Sequence, residues 1–340
     1  MKKRVCALLA ALCLLLLYGC QDNSNGNTDL PYNGDIPLPY NGVPLSGGYS
    51  LLDGRLLVDM PEGTQNTPIQ VSQNSAPDSE RTSTQLIYAS AERNIVLTAY
   101  EDFQLSGGSL EDDARNGLKD PIAAGQQFDL QPVSAGDGLS VVEIIPRTFN
   151  ESDNAILTRS ALVKDANGAL ITINLYTDAE SFKDRDACFS QADAILMSLR
   201  PGGRMLETGV HKEQIGDYTI QVAAGYVLTT QTSDTFTVYT VTKMVPVGTQ
   251  PPYMCLYFGV YPSLVCDSQN ISLDDLETGQ DTILGRDATW GTYRPKPGED
   301  KFLFRETVVS LSADLLIHVA IIPSDETDME EMTRMAESLT

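Results

Sequence analysis

Only two histidines, His211 and His318, are available as general bases in 340 residues. His318 interrupts the apolar run Leu316-Ile317-His318-Val319, which reads as a strand, and His211 falls in a polar connection where exposure is expected. A general base needs an orienting partner, and spacing along the chain supplies none for either. Neighbouring carboxylates are more numerous: Glu111-Asp112-Asp113, Asp184 with Asp186, and Asp325-Glu326. Each group sits where a helix is expected to begin, and acids there are stabilised by the helix dipole. Gly-x-Ser-x-Gly, His-Glu-x-x-His, Walker A and Gly-x-Gly-x-x-Gly patterns are all absent. No 12-residue loop has EF-hand spacing. The reading is a chain with no catalytic residues, no metal site and no cofactor.

Six cysteines divide by position. Cys6 and Cys13 lie in the apolar N-terminus, Cys20 ends it, and Cys188, Cys255 and Cys266 remain for the folded part. In an exported chain disulfides are permitted. Cys255 and Cys266 bracket a segment able to fold back, so a bridge between them is expected, with Cys188 a buried thiol on a helix face beside Ala192. The segment Gly285 to Arg294 holds the only tryptophan. Its Arg286, Trp290, Tyr293 and Arg294 belong to the residue types enriched at interface hot spots, which makes them candidates for partner contact. The competing reading is a strand whose tryptophan fills a core.

Positioning these residues falls to elements that can be traced from the N-terminus. Lys2, Lys3 and Arg4 precede thirteen apolar residues, Val5 to Leu17. That run is shorter than the roughly twenty residues a membrane-spanning helix needs, and reads as a secretory signal over residues 1–19. Its end, Leu17-Tyr18-Gly19-Cys20, resembles the lipobox of bacterial lipoproteins. That resemblance implies acylation of Cys20, a chain anchored in the cell envelope and facing the periplasm. With Gln21 rather than aspartate next, it favours the outer membrane. Cleavage there removes three bases and no acids, taking the formal net charge from −23 to −26. Such a surface repels nucleic acid and anionic lipid, so acyl chains must hold the protein at a membrane. Residues 20–47 repeat Pro-Tyr-Asn-Gly at 31–34 and 39–42, which is turn chemistry, and read as a tether.

The remainder reads as two tandem copies of one α+β domain, over 48–203 and 204–340. Ile156-Leu157-Thr158-Arg159 aligns with Phe302-Leu303-Phe304-Arg305 at an offset of 146, and the register continues from Leu170–Leu175 to Leu316–Ile321. Each stretch is a strand pair joined by a turn. Phe189, Ala192, Leu196 and Leu199 match Met329, Met332, Ala336 and Leu339 at an offset of 140, the stripe of an amphipathic helix. Ser181 with Asp184 reads as a capping box for the first helix, and Ser324 as the cap of the second. Gly54–Gly63 sits over Gly216–Gly225 as an opening strand that ends at a turn. Further strands are expected near 85–90, 94–101, 139–145, 236–243, 253–261 and 283–293, with one more helix over 110–123. Each copy is then an antiparallel sheet closed by a C-terminal helix.

The strand ending in a Pro-Glu-Gly turn, with a closing helix ending Ile195-Leu196-Met197-Ser198-Leu199, resembles PsbP-like domains. That resemblance implies a lipoprotein assisting an envelope complex. The opening Gly54-Arg55-Leu56-Leu57-Val58-Asp59-Met60-Pro61 resembles the first strand of two-domain immunity proteins that block type VI secretion phospholipases. That one implies two related α+β domains in the periplasm, clamping the lid of a lipase effector. Both imply a non-catalytic binding protein with a protein partner. A hydrolase working through two carboxylates is the alternative that the abundance of acids leaves open.

Overall fold

The computed structural model describes residues 42–66, 83–91, 93–149, 155–232 and 236–340. The signal, the lipobox and the chain to Asn41 lie outside the described residues. The first half contains β1 (Leu45–Leu51), β2 (Leu56–Pro61), β3 (Gln65–Asn66), β4 (Ser83–Ala89) and β5 (Asn94–Leu105). It continues through α1 (Leu110–Gly117), α2 (Lys119–Ala123), β6 (Phe128–Ser134), β7 (Ser140–Pro146), β8 (Ile156–Lys164), β9 (Ala169–Thr177), α3 (Arg185–Met197) and β10 (Arg200–Pro201). The second half opens with β11 (His211–Ile215), β12 (Tyr218–Val222), β13 (Tyr226–Thr232), β14 (Thr237–Lys243), β15 (Val245–Pro246) and β16 (Tyr253–Gly259). After these come α4 (Val265–Ser268), β17 (Glu277–Ile283), β18 (Arg286–Tyr293), β19 (Phe304–Ser312), β20 (Leu315–Ile322) and α5 (Glu326–Glu337). The fold is α+β with almost wholly antiparallel sheets, as expected. Among the described residues no helix is long and apolar enough to cross a membrane.

Both large sheets follow one plan. Their strand orders are β3-β4-β5-β9-β8-β7-β6 and β13-β14-β16-β20-β19-β18-β17. The register repeats as well as the order. Arg159 faces Leu175 as Arg305 faces Ile321, and Val163 faces Ile171 as Val309 faces Ile317, all at an offset of 146. Leu97 faces Leu175 as Met254 faces Ile321, which places β5 over β16 at an offset of 157. A smaller sheet, β1-β2-β10 in one half and β11-β12 in the other, accompanies each.

Each small sheet and closing helix bury one face of the large sheet. Leu56, Val58 and Met60 of β2 join Ile195, Leu196 and Leu199 over Leu97 and Ile173. Ile220, Val222, Met332, Ala336 and Leu339 do the same over Met254 and Ile317. Each large side chain so buried contributes about 1.5–3 kcal/mol, enough for the helical stripe to fix where the helix lies. The caps differ from expectation. Asp184, not Ser181, accepts from the Ala187 N–H, and Asp325, not Ser324, accepts from the Asp328 N–H. A carboxylate there satisfies the free N–H and also complements the dipole. The stretch expected as one strand over 283–293 is the turn and second arm of the β17–β18 hairpin. β1 begins at Leu45, inside the stretch read as tether, because Leu45, Tyr49 and Leu51 pack on the first core.

Candidate functional site

The seam between the halves is built from the far end of β5. Its first seven residues pair with β4, ending at Tyr100. A bulge follows between Glu101 and Leu105, with Phe103 at φ 52°. A positive φ at an aromatic residue costs on the order of 1–3 kcal/mol and persists only where packing compels it. The packing is plain: Phe103 is buried with Ala169, Val227 and Met244, the last two from the other half. At the end of the bulge, Gln104 and Leu105 pair in parallel with Val245 and Pro246 of β15. Val247 then joins the cluster beneath α1, with Leu110, Val142 and Leu170. Gln104 Nε2 donates to Thr249 O at 3.0 Å, and Asn167 Nδ2 to Leu206 O at 2.7 Å. The connection itself is tied down, since the Gly202 N–H donates to Arg55 O at 2.7 Å. Any Cβ at Gly202 would lie 1.9 Å from Gly54 O, so only glycine passes.

Behind the seam sits a buried ion cluster. Arg55 bonds Glu101 and, at 2.6 Å, Asp165. Burial pushes Glu101 up to about 7, against the pull of Arg55. Asp165 also accepts from the N–H groups of Asn167 and Ala169, shaping the β8–β9 turn. Arg55 of the opening motif therefore braces the fold. Asp59 of the same motif pairs with Arg200 at 3.0 Å.

Arg159, buried, and Arg305, half-buried, stand at equivalent places in the two halves. Arg159 Nε lies 2.7 Å from both Asp193 Oδ1 and Glu143 Oε1. Burial, with Asp193 beside it, pushes Glu143 up to about 7. Because Ile144 faces Ser160 as Gly291 faces Glu306, the position of Glu143 is taken by Trp290 in the second half. Arg305 accordingly stacks on the Trp290 ring, 4.7 Å from its centroid. Near it Glu337 is pushed up to about 7 by burial and by its hydrogen bond to Asp281. Two carboxylates sharing one guanidinium nitrogen cannot flank a glycosidic bond, which requires room for a sugar between them. These pairs hold the helices α3 and α5 to their sheets.

The residues singled out in the sequence take the following places. Trp290 is fully buried in the second core, so its expected surface role is corrected: an alternating strand puts it on the inner face. Tyr293 is buried and donates to Glu299. Arg294 is exposed but held by Glu277 and Glu326, and Arg286 donates to the carbonyls of Ser310 and Leu311. The four are not one surface patch. Cys255 and Cys266 share an apolar cluster yet are free thiols, so the expected bridge is not formed. Their sulfurs have separate surroundings, Thr240 Oγ1 for Cys255 and the Glu306 carboxylate for Cys266. Cys188 is a buried thiol, as expected, 3.1 Å from Ser181 O. His211 is half-buried and hydrogen-bonded to Gly209 O at 2.7 Å. His318 has a partner that spacing did not identify: its Nε2 is 2.9 Å from Glu306 Oε2.

Cys266, Glu306 and His318 bring a thiol, a carboxylate and an imidazole together, and their arrangement decides their role. Glu306 accepts from the Val265 and Cys266 N–H groups at 2.8 and 2.9 Å. Burial works against its charge, but His318 and these two donors hold it below the ordinary carboxylate range. Burial and that same carboxylate push the Cys266 thiol up to about 12. A nucleophilic cysteine needs the opposite surroundings. The cluster anchors α4 to β19. Among the described residues no group of three or more His, Cys, Asp or Glu could hold a metal ion.

No protein-family model matches the chain, and no curated protein matches it. Among solved structures, two similar ones are of the immunity protein TplEi of the type VI secretion system from Pseudomonas aeruginosa. The apo structure is 12% identical, covers 86% of this chain and 95% of its own, and has a TM-score of 0.21. The structure complexed with the "L" peptide is 10% identical, covers 86% and 96%, and has a TM-score of 0.19. Superposition at this level is too loose to assign a fold, which rests here on the pairing register itself.

Proposed function

We propose that the chain is an envelope lipoprotein that binds and neutralises a secreted lipase, held at the bilayer through lipidated Cys20. The observation that carries this reading is the fate of its polar chemistry. The buried ion pairs of Arg55 with Glu101, Arg159 with Glu143 and His318 with Glu306 join one element to another and brace the fold, and Arg305 lies on the Trp290 ring. What remains is surface, with an excess of 23 acids over bases in the full sequence. Such a surface captures a basic partner quickly, by steering. The opening strand Gly54 to Pro61 supports the choice of a lipase effector through its likeness to immunity proteins. A stapled seam suits the role, because a clamp must not yield.

The test is protection. A lipase-like gene beside this one is expressed in a bacterial periplasm, with and without the full chain. Growth restored by the wild-type chain, and lost again on deleting residues 204–340, is the expected result. Toxicity unchanged by the chain, or no lipase-like neighbour, removes the proposal.

A further inference from the structure

The two copies differ most where they should be alike. Counting on from the shared register of β5 and β16, Val260 and Tyr261 fall where Phe103 and Gln104 stand. In the first copy those positions are the seam: Phe103 is buried, and Gln104 pairs with β15 and bonds Thr249. In the second copy no strand among the described residues pairs with them. Val260 is 43% exposed and Tyr261 83%. The crossovers that follow are also equivalent, since each leads from the third strand of its sheet to the far edge. The first, α1 with α2, receives Val247 from the other half. The second packs only on its own half and leaves Leu273 67% exposed.

This knuckle is held in place. Glu306 fixes the start of α4, and the Ile271 N–H returns to Cys266 O at 2.9 Å. Its fringe is acidic: Asp267, Asp274 and Asp275 are exposed, and none is ion-paired with another described residue. Exposed Tyr261 and Leu273 thus share one short segment with three exposed acids, and apolar groups with a polar rim are the make-up of a contact surface.

We propose that the Val260–Asp275 knuckle is where the second copy takes an extended segment of its protein partner. That segment is apolar at its centre and basic at its flanks, and does for this copy what Val245 to Val247 do for the first. The inference rests on the proposed function for the partner's identity. A second copy of this chain is disfavoured as occupant, because it would bring acids against acids.

The test uses the full chain in detergent and the purified lipase encoded beside it. Affinity is measured for the wild type, for Tyr261→Ser with Leu273→Ser, and for Met205→Ser, which is equally exposed but off the knuckle. Thermal unfolding should not change, since the replaced side chains are exposed. Binding weakened by more than about tenfold in the double variant alone is the expected result. Wild-type affinity in the double variant overturns the inference and leaves the proposed function standing. A wild type that binds no such lipase removes both. Self-association of the wild type, lost in the double variant, would show that the occupant is a second copy and overturns the inference as well.

Discussion

Phe103→Ala tests whether the two halves behave as one body. The ring is 6% exposed and packs against Ala169, Val227, Met244, Leu105 and Leu206. Truncating a buried phenylalanine costs about 3–5 kcal/mol. The backbone strain at φ 52° stays with alanine, since any Cβ meets it, so little is recovered. A loss of about 3 kcal/mol falls on the seam and cuts the coupling between halves by more than about a hundredfold. The single tryptophan makes this visible, because Trp290 reports only the second half while far-ultraviolet dichroism reports both. In the wild type, fluorescence and dichroism should follow one urea transition. In Phe103→Ala the two curves should separate, as two-state behaviour fails. Coincident curves in the variant, at the same loss of stability, would refute the reasoning, as would separated curves in the wild type.

Other perturbations have equally definite outcomes. Trp290→Ala should lower stability by about 3–5 kcal/mol, since it empties the second core and leaves Arg305 without its ring; a stable variant that loses only lipase binding would restore the surface reading. Glu101 and Glu143 keep protons up to about pH 7 when folded, against an ordinary 4.5, so the folded state binds more protons between these values. Stability then falls as pH rises from about 5 to 7.5, by at most about 1.4 kcal/mol per pH unit per group, and Glu143→Gln makes the slope shallower while Glu101 and Glu337 still contribute. Below about pH 4.5 the direction reverses, because Asp129, Asp178 and Glu306 are held under their ordinary values. Urea midpoints across pH decide it, and a rise from pH 5 to 7.5 would contradict the assignment. Metabolic labelling with an alkyne fatty acid should mark the wild type and not Cys20→Ser. In native protein Cys188, Cys255 and Cys266 should resist a thiol reagent until urea is added, each buried and the last pushed up to about 12.

Much of the scaffold was legible in the sequence. The offset of 146 could be read because alternation and turn chemistry are local, and the same offset relates Arg159 facing Leu175 to Arg305 facing Ile321. The helical stripes were equally plain, from Ala192, Leu196 and Leu199 to Met332, Ala336 and Leu339. The seam was not legible. β15 is two residues long and has no period, and its pairing with Gln104 and Leu105 depends on where a bulge ends β4's reach. Trp290 misled because its residue type suits both a core and an interface, and only the register with Glu143's strand shows that it replaces a carboxylate beside a buried arginine. The cysteine spacing misled for a related reason, since eleven residues bring Cys255 and Cys266 into one cluster without aligning their sulfurs. Glu306 as partner of His318 could have been found from the register at offset 146, which places them on adjacent strands near one another. The knuckle at Tyr261 was not legible either, since its exposure departs from the first copy only in the fold, where Val260 stands for buried Phe103 and Tyr261 for Gln104.

Calorimetric titration of the purified neighbouring lipase into the full chain in detergent tests the central claim most directly. A one-to-one complex, with lipase activity on vesicles abolished at equivalence, is the predicted result. No heat of binding and undiminished lipase activity, from a chain that unfolds cooperatively under the same conditions, would contradict it.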